Sequence, residues 1–180
     1  IRLSLVGSEM CIRDSHSANC SMLCDVILNT DTIRLLNNHL QTTSVSQNRK
    51  KWERELAADN TRREAQAVQD AAETLHENFV KRAFQTDSIC QLATASPHPV
   101  LVCGDFNSLP SSYTYHRLSE SLKDGFKTGG HGYMYTYRYG KRMLRIDYAF
   151  HSPELECTDY YSPNLDLCSD HNPVIFTVKY

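Results

Sequence analysis

Residues 98–112 read HPVLVCGDFNSLPSS, and this stretch constrains the fold more than any other. The apolar run Val100-Leu101-Val102-Cys103, after Pro99, predicts a short buried strand. It empties at once into Gly104-Asp105-Phe106-Asn107. The two-residue spacing puts the side chains of Asp105 and Asn107 on the same side of an extended segment. Either they form an Asx turn ahead of Pro110, or they face something that needs a base and a hydrogen-bond donor.

The pattern around this strand predicts an α/β chain. Residues 21–28 are rich in Leu, Val and Ile, Asn29-Thr30-Asp31 is a turn signal, and residues 32–36 resume as strand, so a β-hairpin is expected. It runs into a polar strand end at residues 37–42. Residues 47–60 are polar, with Arg49, Lys50, Lys51 and Arg54 set against Glu53 and Glu55, as in a surface loop or short helix. Thr61 and Glu64 fit a capping box. Apolar positions at Ala65, Val68, Ala72, Leu75 and Phe79 then mark an amphipathic helix running toward Leu92, stopped by Pro97 and Pro99. A second helix is expected at residues 113–122 and a flexible connection at Gly129-Gly130-His131-Gly132. Strands are expected at 133–139, 143–150, 155–161 and 173–180. Hairpin, helix, strand, helix and then several strands suggest a mixed sandwich more than a regular βαβ winding.

The 180 residues are enough for one domain with a real core. A net charge of −2 gives no global basic field that would argue for nucleic acid, and no apolar run approaches membrane-spanning length. Seven cysteines without a CxxC pair imply no disulfide framework. Cys20 and Cys24 read as core thiols rather than as a metal pair. Residues 1–15, IRLSLVGSEMCIRDS, lack the make-up of a signal peptide. They look like a translated sequencing-adapter tail, so a non-native leader is expected there, with residues 16–180 as the domain portion. The compartment is left open.

Four polar clusters sit where apolar strands end or begin: Asn38-His39, Asp105-Phe106-Asn107, Arg145-Ile146-Asp147-Tyr148 and Ser169-Asp170-His171-Asn172-Pro173. Singly, each has a plain reading as a strand cap or turn, though a carboxylate inside the apolar strand at Asp147 needs a partner. Together they suit phosphoester hydrolysis, which needs a nucleophilic water, charge relief at phosphorus and help for the leaving oxygen. Asp105 can deprotonate water. Asn107 can hold that water or donate to a phosphoryl oxygen. Asp147 can orient His171 and stabilise its imidazolium, and His171 can then bind the phosphoryl group. Asp170 offers a hard oxygen ligand suited to Mg2+ or Mn2+. Eight histidines without HExxH or paired spacing make zinc hydrolysis less fitting.

The strings GDFNSLPSS, LRIDYAF and SDHNPV, in that order, resemble the endonuclease/exonuclease/phosphatase superfamily. That group includes DNase I-like nucleases, exonuclease III-type repair enzymes, inositol polyphosphate 5-phosphatases and neutral sphingomyelinases. NNHLQT is similar to the family's NTHL strand end, and RREAQA to the helix start that follows it. The resemblance covers residues 21–180. It implies a four-layer sandwich, two mixed and mainly antiparallel β-sheets flanked by helices, incomplete here at the N-terminus. It implies that Asp105 and Asn107 position water and phosphate, that Asp170 contributes near the metal and His171 contacts the scissile phosphate. It further implies that Asp147 bonds that histidine and that His39 contacts phosphate or assists the leaving group. The family's opening asparagine strand and its Gln-Glu motif, whose glutamate holds the principal Mg2+, have no match before Asn37. Glu9 lies in the leader and takes no such role. The chain therefore looks like the C-terminal portion of an enzyme, so divalent-metal-dependent hydrolysis of a phosphodiester or phosphomonoester is expected of the parent enzyme and is left open for this portion alone.

The expected partner is a phosphate ester, whether nucleic acid, phospholipid or inositol phosphate; no obligate protein partner is evident. Asn38, Tyr137 and Arg138 are candidate substrate contacts, with Lys141 nearby. The basic residues at 49–51 and 62–63 are interleaved with Glu53, Glu55 and Glu64 and read as a solvated face. The alternative to an enzyme is a non-catalytic remnant or binding module of the same fold.

Overall fold

The computed structural model describes residues 4–5, 10–13, 19–44, 48, 52, 61–139, 141–165 and 168–179. The predicted hairpin is present. Strands β3 (Cys20–Leu28) and β4 (Asp31–His39) pair antiparallel over nine residue pairs, and the turn is closed by Asn29 in a left-handed conformation at φ 58°. Two short strands from the expected leader, β1 (Ser4–Leu5) and β2 (Met10–Arg13), both pair antiparallel with β3. The unpaired backbone of an edge strand accepts such a neighbour readily.

On the other side of the hairpin lies β5 (Val100–Asp105), parallel to β4. A parallel pair needs a crossover, and helix α1 (Thr61–Thr94) supplies it. Beyond β5 come β7 (Asp147–His151) and the two-residue β6 (Lys123–Asp124), both antiparallel. The large mixed sheet therefore runs β1-β3-β4-β5-β7-β6, with β2 also on β3. A second sheet holds β8 (Glu156–Tyr161) and β9 (Ile175–Lys179), with a bulge between Cys157 and Asp159. Helix α2 (Tyr113–Ser119) starts on a Ser112 cap whose hydroxyl accepts the Tyr115 N–H, and the short α3 (Gly125–Gly129) on an Asp124 cap.

Strand alternation decides the layers. Leu36, Val100, Val102, Tyr148 and Phe150 point to one face of the large sheet and pack under Ile89, Cys90 and Ala93 of α1 and Tyr115 and Leu118 of α2. Cys103 and Ala149 point to the other face and meet Cys157, Tyr160, Phe176 and Val178 of the small sheet and Phe126 of α3. The molecule is thus the expected α/β sandwich, with α1 and α2 outside the large sheet and two sheets face to face. Among the described residues no helix is long and apolar enough to cross a membrane.

Several expectations need correction. The helix from residue 61 exists and runs to Thr94, but its predicted apolar face is turned outward: Val68 is 59% and Phe79 53% exposed. The buried face carries Ala67, Asn78, Arg82, Thr86 and Ile89. Polar side chains are drawn inward there because residues 41–44, which leave the sheet after β4, need hydrogen-bond partners. Residues 133–139 do not form a strand. They are irregular, held by isolated bridges from Tyr137 to Leu144 and to His171. The glycine connection is partly ordered: Gly125–Gly129 is helical and Gly130 bridges to Tyr160. Cys20 is exposed and Cys24 alone of that pair is buried. The side chains of Thr61 and Glu64, and most of residues 45–60, lie outside the described residues.

Candidate active site

The sheet register places three of the candidate side chains in one row. His39 at the end of β4 pairs with Asp105 at the end of β5, and Asp105 pairs with Asp147 at the start of β7. Residues directly opposite on neighbouring strands share a face. Here that face looks toward the small sheet, opposite to Val102 and Tyr148. The distances follow: His39 Nε2 lies 3.8 Å from Asp105 Oδ2.

His171 arrives from the segment that leads into β9. Its Nδ1–H donates to Asp147 Oδ2 at 2.8 Å, which leaves Nε2 facing Asp105 Oδ2 at 3.9 Å. This is a carboxylate–imidazole pair of the kind that sets tautomer and ring orientation. The bond to Asp147 raises the His171 pKa above its ordinary value, with the charges of Asp147, Asp105 and Asp170 acting the same way and burial opposing. Asp105 is shifted upward too, first by burial and then by the Asp147 charge, against the Asn107 N–H and the two histidines.

Asp105 and Asn107 form the Asx turn that the sequence allowed. Asp105 Oδ1 accepts the Asn107 N–H at 2.8 Å, an Asx turn, with Asn107 left-handed at φ 47°. Asn107 Nδ2 donates to Asp105 Oδ2 at 3.2 Å and to the Leu40 carbonyl at 3.1 Å. Its donors are thus turned inward to hold the carboxylate. Phe106 points the opposite way, fully buried against Tyr148 and Phe150, and pins the loop.

The remaining candidates are placed unevenly. Tyr137 lies edge-on to His171 with ring centroids 5.2 Å apart, and Tyr139 packs on Tyr137 at 5.9 Å. Arg138 Nη1 donates to the Ser169 carbonyl, and its N–H to that of Asp170. Both residues are therefore at the rim beside His171. Asn38 is buried on the helix side of β4, and its amide donates to the Leu36 and Cys103 carbonyls. Asp170 is exposed. Among the described residues, Asp105, Asp147 and His171 form a group that could hold a metal ion, with ligand atoms within 4.8 Å of one another.

A cleft of about 420 Å3 opens beside this group, between the large sheet and residues 169–176. Asn172 lines it, only 3% exposed, and neither its Nδ2 nor its Oδ1 has a partner among the described residues. Asn37 and Cys103 line it as well, and burial pushes the Cys103 thiol up to about 11. Thr136, wholly buried, is a residue the sequence did not single out. Its hydroxyl accepts the Ile146 and Asp147 N–H groups and its carbonyl accepts the Asn172 N–H, so it ties together the segments carrying Asp147 and His171. Its place between Tyr135 and Tyr137 carries no local signal.

Residues 25–171 match the sequence model of the endonuclease/exonuclease/phosphatase family. No curated protein matches the chain in sequence at a significant level. Among solved structures, the endonuclease/exonuclease/phosphatase from Bacteroides vulgatus is 18% identical with a TM-score of 0.59, covering 89% of this chain and 55% of that one. The mannosyl-6-phosphatase of Bacteroides thetaiotaomicron is 16% identical with a TM-score of 0.54, covering 90% and 57%. The human Nocturnin catalytic domain, solved with a bound sulfate anion, is 19% identical with a TM-score of 0.57, covering 98% and 61%. At such identities the likeness establishes the fold. The chain spans little more than half the length of these structures.

Proposed function

The chain belongs to the endonuclease/exonuclease/phosphatase family, and from that premise we propose that its site hydrolyses a phosphodiester or phosphomonoester with a divalent metal ion. The observation that carries the reading is the row His39–Asp105–Asp147, with His171 bonded to Asp147 and facing Asp105. Neighbours of the same fold include a mannosyl-6-phosphatase and a domain with a bound sulfate, which supports a phosphate-like ligand.

Asp105 accepts a proton from water as that water forms a bond to phosphorus. Without the ion, burial and then the Asp147 charge shift its pKa upward. Asn107 holds the carboxylate in place. His171, whose charged form the bond to Asp147 favours, donates to a phosphoryl oxygen where negative charge grows. His39, with a side chain 48% exposed, gives a proton to the departing ester oxygen as its bond to phosphorus breaks. Two carboxylates beside an imidazole suit a hard cation, so Asp105 and Asp147 would hold Mg2+ or Mn2+, with Asp170 at the rim. When bound, that ion supplies Lewis-acid charge relief. Tyr137, beside the His171 ring, and Arg138, bonded to the Ser169 carbonyl, contact the rest of the substrate.

The test is hydrolysis by the full chain of bis(p-nitrophenyl) phosphate, p-nitrophenyl phosphate, oligonucleotides, phosphoinositide and sphingomyelin, with Mg2+, with Mn2+ and with EDTA. We expect metal-dependent turnover that Asp105→Asn and His171→Ala each lower by about 10²- to 10⁴-fold. Turnover unaffected by EDTA, or undiminished in both variants, rejects the mechanism. Phosphate binding without turnover by any of these substrates identifies a non-catalytic binding module instead.

A further inference from the structure

Residues 41–44 follow β4 and have left the sheet, yet the backbone of Gln41 and Thr43 keeps hydrogen-bond partners. Three side chains of α1 supply them. Gln85 Oε1 accepts the Gln41 N–H at 2.9 Å, and Arg82 Nη1 donates to the Gln41 carbonyl at 2.7 Å. Asn78 Nδ2 donates to the Thr43 carbonyl at 3.3 Å, while its Oδ1 accepts from the Gln41 side chain at 3.0 Å. Positions 78, 82 and 85 step by four and three, so they share one face of the helix.

These are costly groups to bury. Asn78 is 4% and Arg82 1% exposed. Arg82 Nε and Nη2 find no partner among the described residues, and the guanidinium sits 4.7 Å over the Phe79 ring. Burial lowers the Arg82 pKa to about 10, opposed by the Asp105 charge, so the residue stays cationic at neutral pH. An apolar residue at this place would avoid the desolvation cost of the charge.

What the arrangement secures is next to the active site. Gln41 follows Leu40, whose N–H bonds the Asp105 carbonyl at 2.9 Å and whose carbonyl receives Asn107 Nδ2 at 3.1 Å. The same Asn107 Nδ2 reaches Asp105 Oδ2. His39 lies one residue further back, at the end of the strand.

We propose that Arg82 and Gln85 are positioning residues that grip both backbone groups of Gln41 and so fix the Leu40 carbonyl, the Asn107 amide and the Asp105 carboxylate in one connected set. Only the kinetic consequence of this proposal rests on the hydrolytic reading.

The test uses the full chain labelled with nitrogen-15 and three variants. Gln85→Met removes the acceptor at similar volume, Gln85→Glu retains it, and Arg82→Lys retains the charge but not the planar fork. In Gln85→Met the Gln41 amide should lose its protection from hydrogen exchange and the Asn107 side-chain amide resonances should move. In Gln85→Glu both should stay near wild type, and Arg82→Lys should fall between. In the phosphodiester assay Gln85→Met should lower kcat by about 10- to 100-fold with KM within about twofold, as expected for lost orientation at the reacting centre. Asn107 resonances that do not move in a folded Gln85→Met protein overturn the proposal. Should that variant fail to fold, the wild-type chain decides: an unprotected Gln41 amide overturns it, and a protected one upholds it. A wild-type chain without turnover removes the hydrolytic reading and leaves the resonance and exchange outcomes to decide this one.

Discussion

The Asp147–His171 hydrogen bond is worth most when the imidazole is charged. The folded-state pKa of His171 is raised, chiefly by this bond, so the stability it contributes is fully present below the unfolded value of about 6.5 and is lost as pH rises through the higher folded value. In metal-free protein, Asp147→Asn should therefore lower the His171 pKa in an NMR titration, and its destabilisation should shrink as pH rises through that raised value. A penalty that grows with pH would contradict the pairing. Gly104 marks another residue-scale constraint. It sits at φ 125°, and a Cβ there would lie 1.9 Å from the Asn38 carbonyl oxygen. Gly104→Ala should cost at least about 3 kcal/mol by urea denaturation, since it combines backbone strain with a clash against a neighbouring strand. Asp105, Asn107, Asp147 and His171 were all visible in the sequence because each punctuates an apolar strand. Thr136 and Asn172 were not singled out, because what they do depends on segments far away in the chain.

At the scale of elements, α1 shows where periodicity misleads. The apolar steps at Val68, Ala72 and Phe79 predicted a core face, yet the helix buries Asn78, Arg82 and Thr86. Phe84, 70% exposed, is correspondingly dispensable: Phe84→Gln should change stability by no more than about 0.5 kcal/mol in a denaturant titration. The opposite holds where β6, β7 and α3 meet. Arg145 makes two hydrogen bonds to Asp124, at 3.1 and 2.8 Å, with side chains 8% and 1% exposed, and the Tyr115 hydroxyl donates to the same carboxylate at 2.7 Å. Arg145→Met leaves a buried carboxylate without its cation and should cost about 3–5 kcal/mol. A loss under about 1 kcal/mol would mean that the carboxylate is hydrated or protonated. The aromatic alternation at residues 133–139 suggested a strand, but Thr136 spends its backbone on Leu144 and Asn172, so the segment bends around the site.

For the whole molecule, the convergence of Asp105, Asp147 and His171 predicts a measurable linkage between metal and folding. Mg2+ or Mn2+ at a hundred times its Kd should stabilise the chain by about 2.7 kcal/mol, and Asp105→Asn should abolish the effect. An unchanged melting temperature on adding either ion would show that these groups do not hold it. The sequence by itself determined the local matters: the hairpin, the buried strand before Asp105, the helices that begin at Thr61 and Tyr113, and the residue types proposed to act on a phosphate ester. These depend on short-range patterns of apolar and polar residues and on turn chemistry, which a chain carries from one residue to the next. The tertiary structure alone decided that His39, Asp105 and Asp147 stand in one row, that His171 closes on Asp147, and that the polar face of a helix grips Gln41. Those outcomes depend on strand register and on the hydrogen-bonding needs of distant backbone, and neither is written in any single stretch of residues.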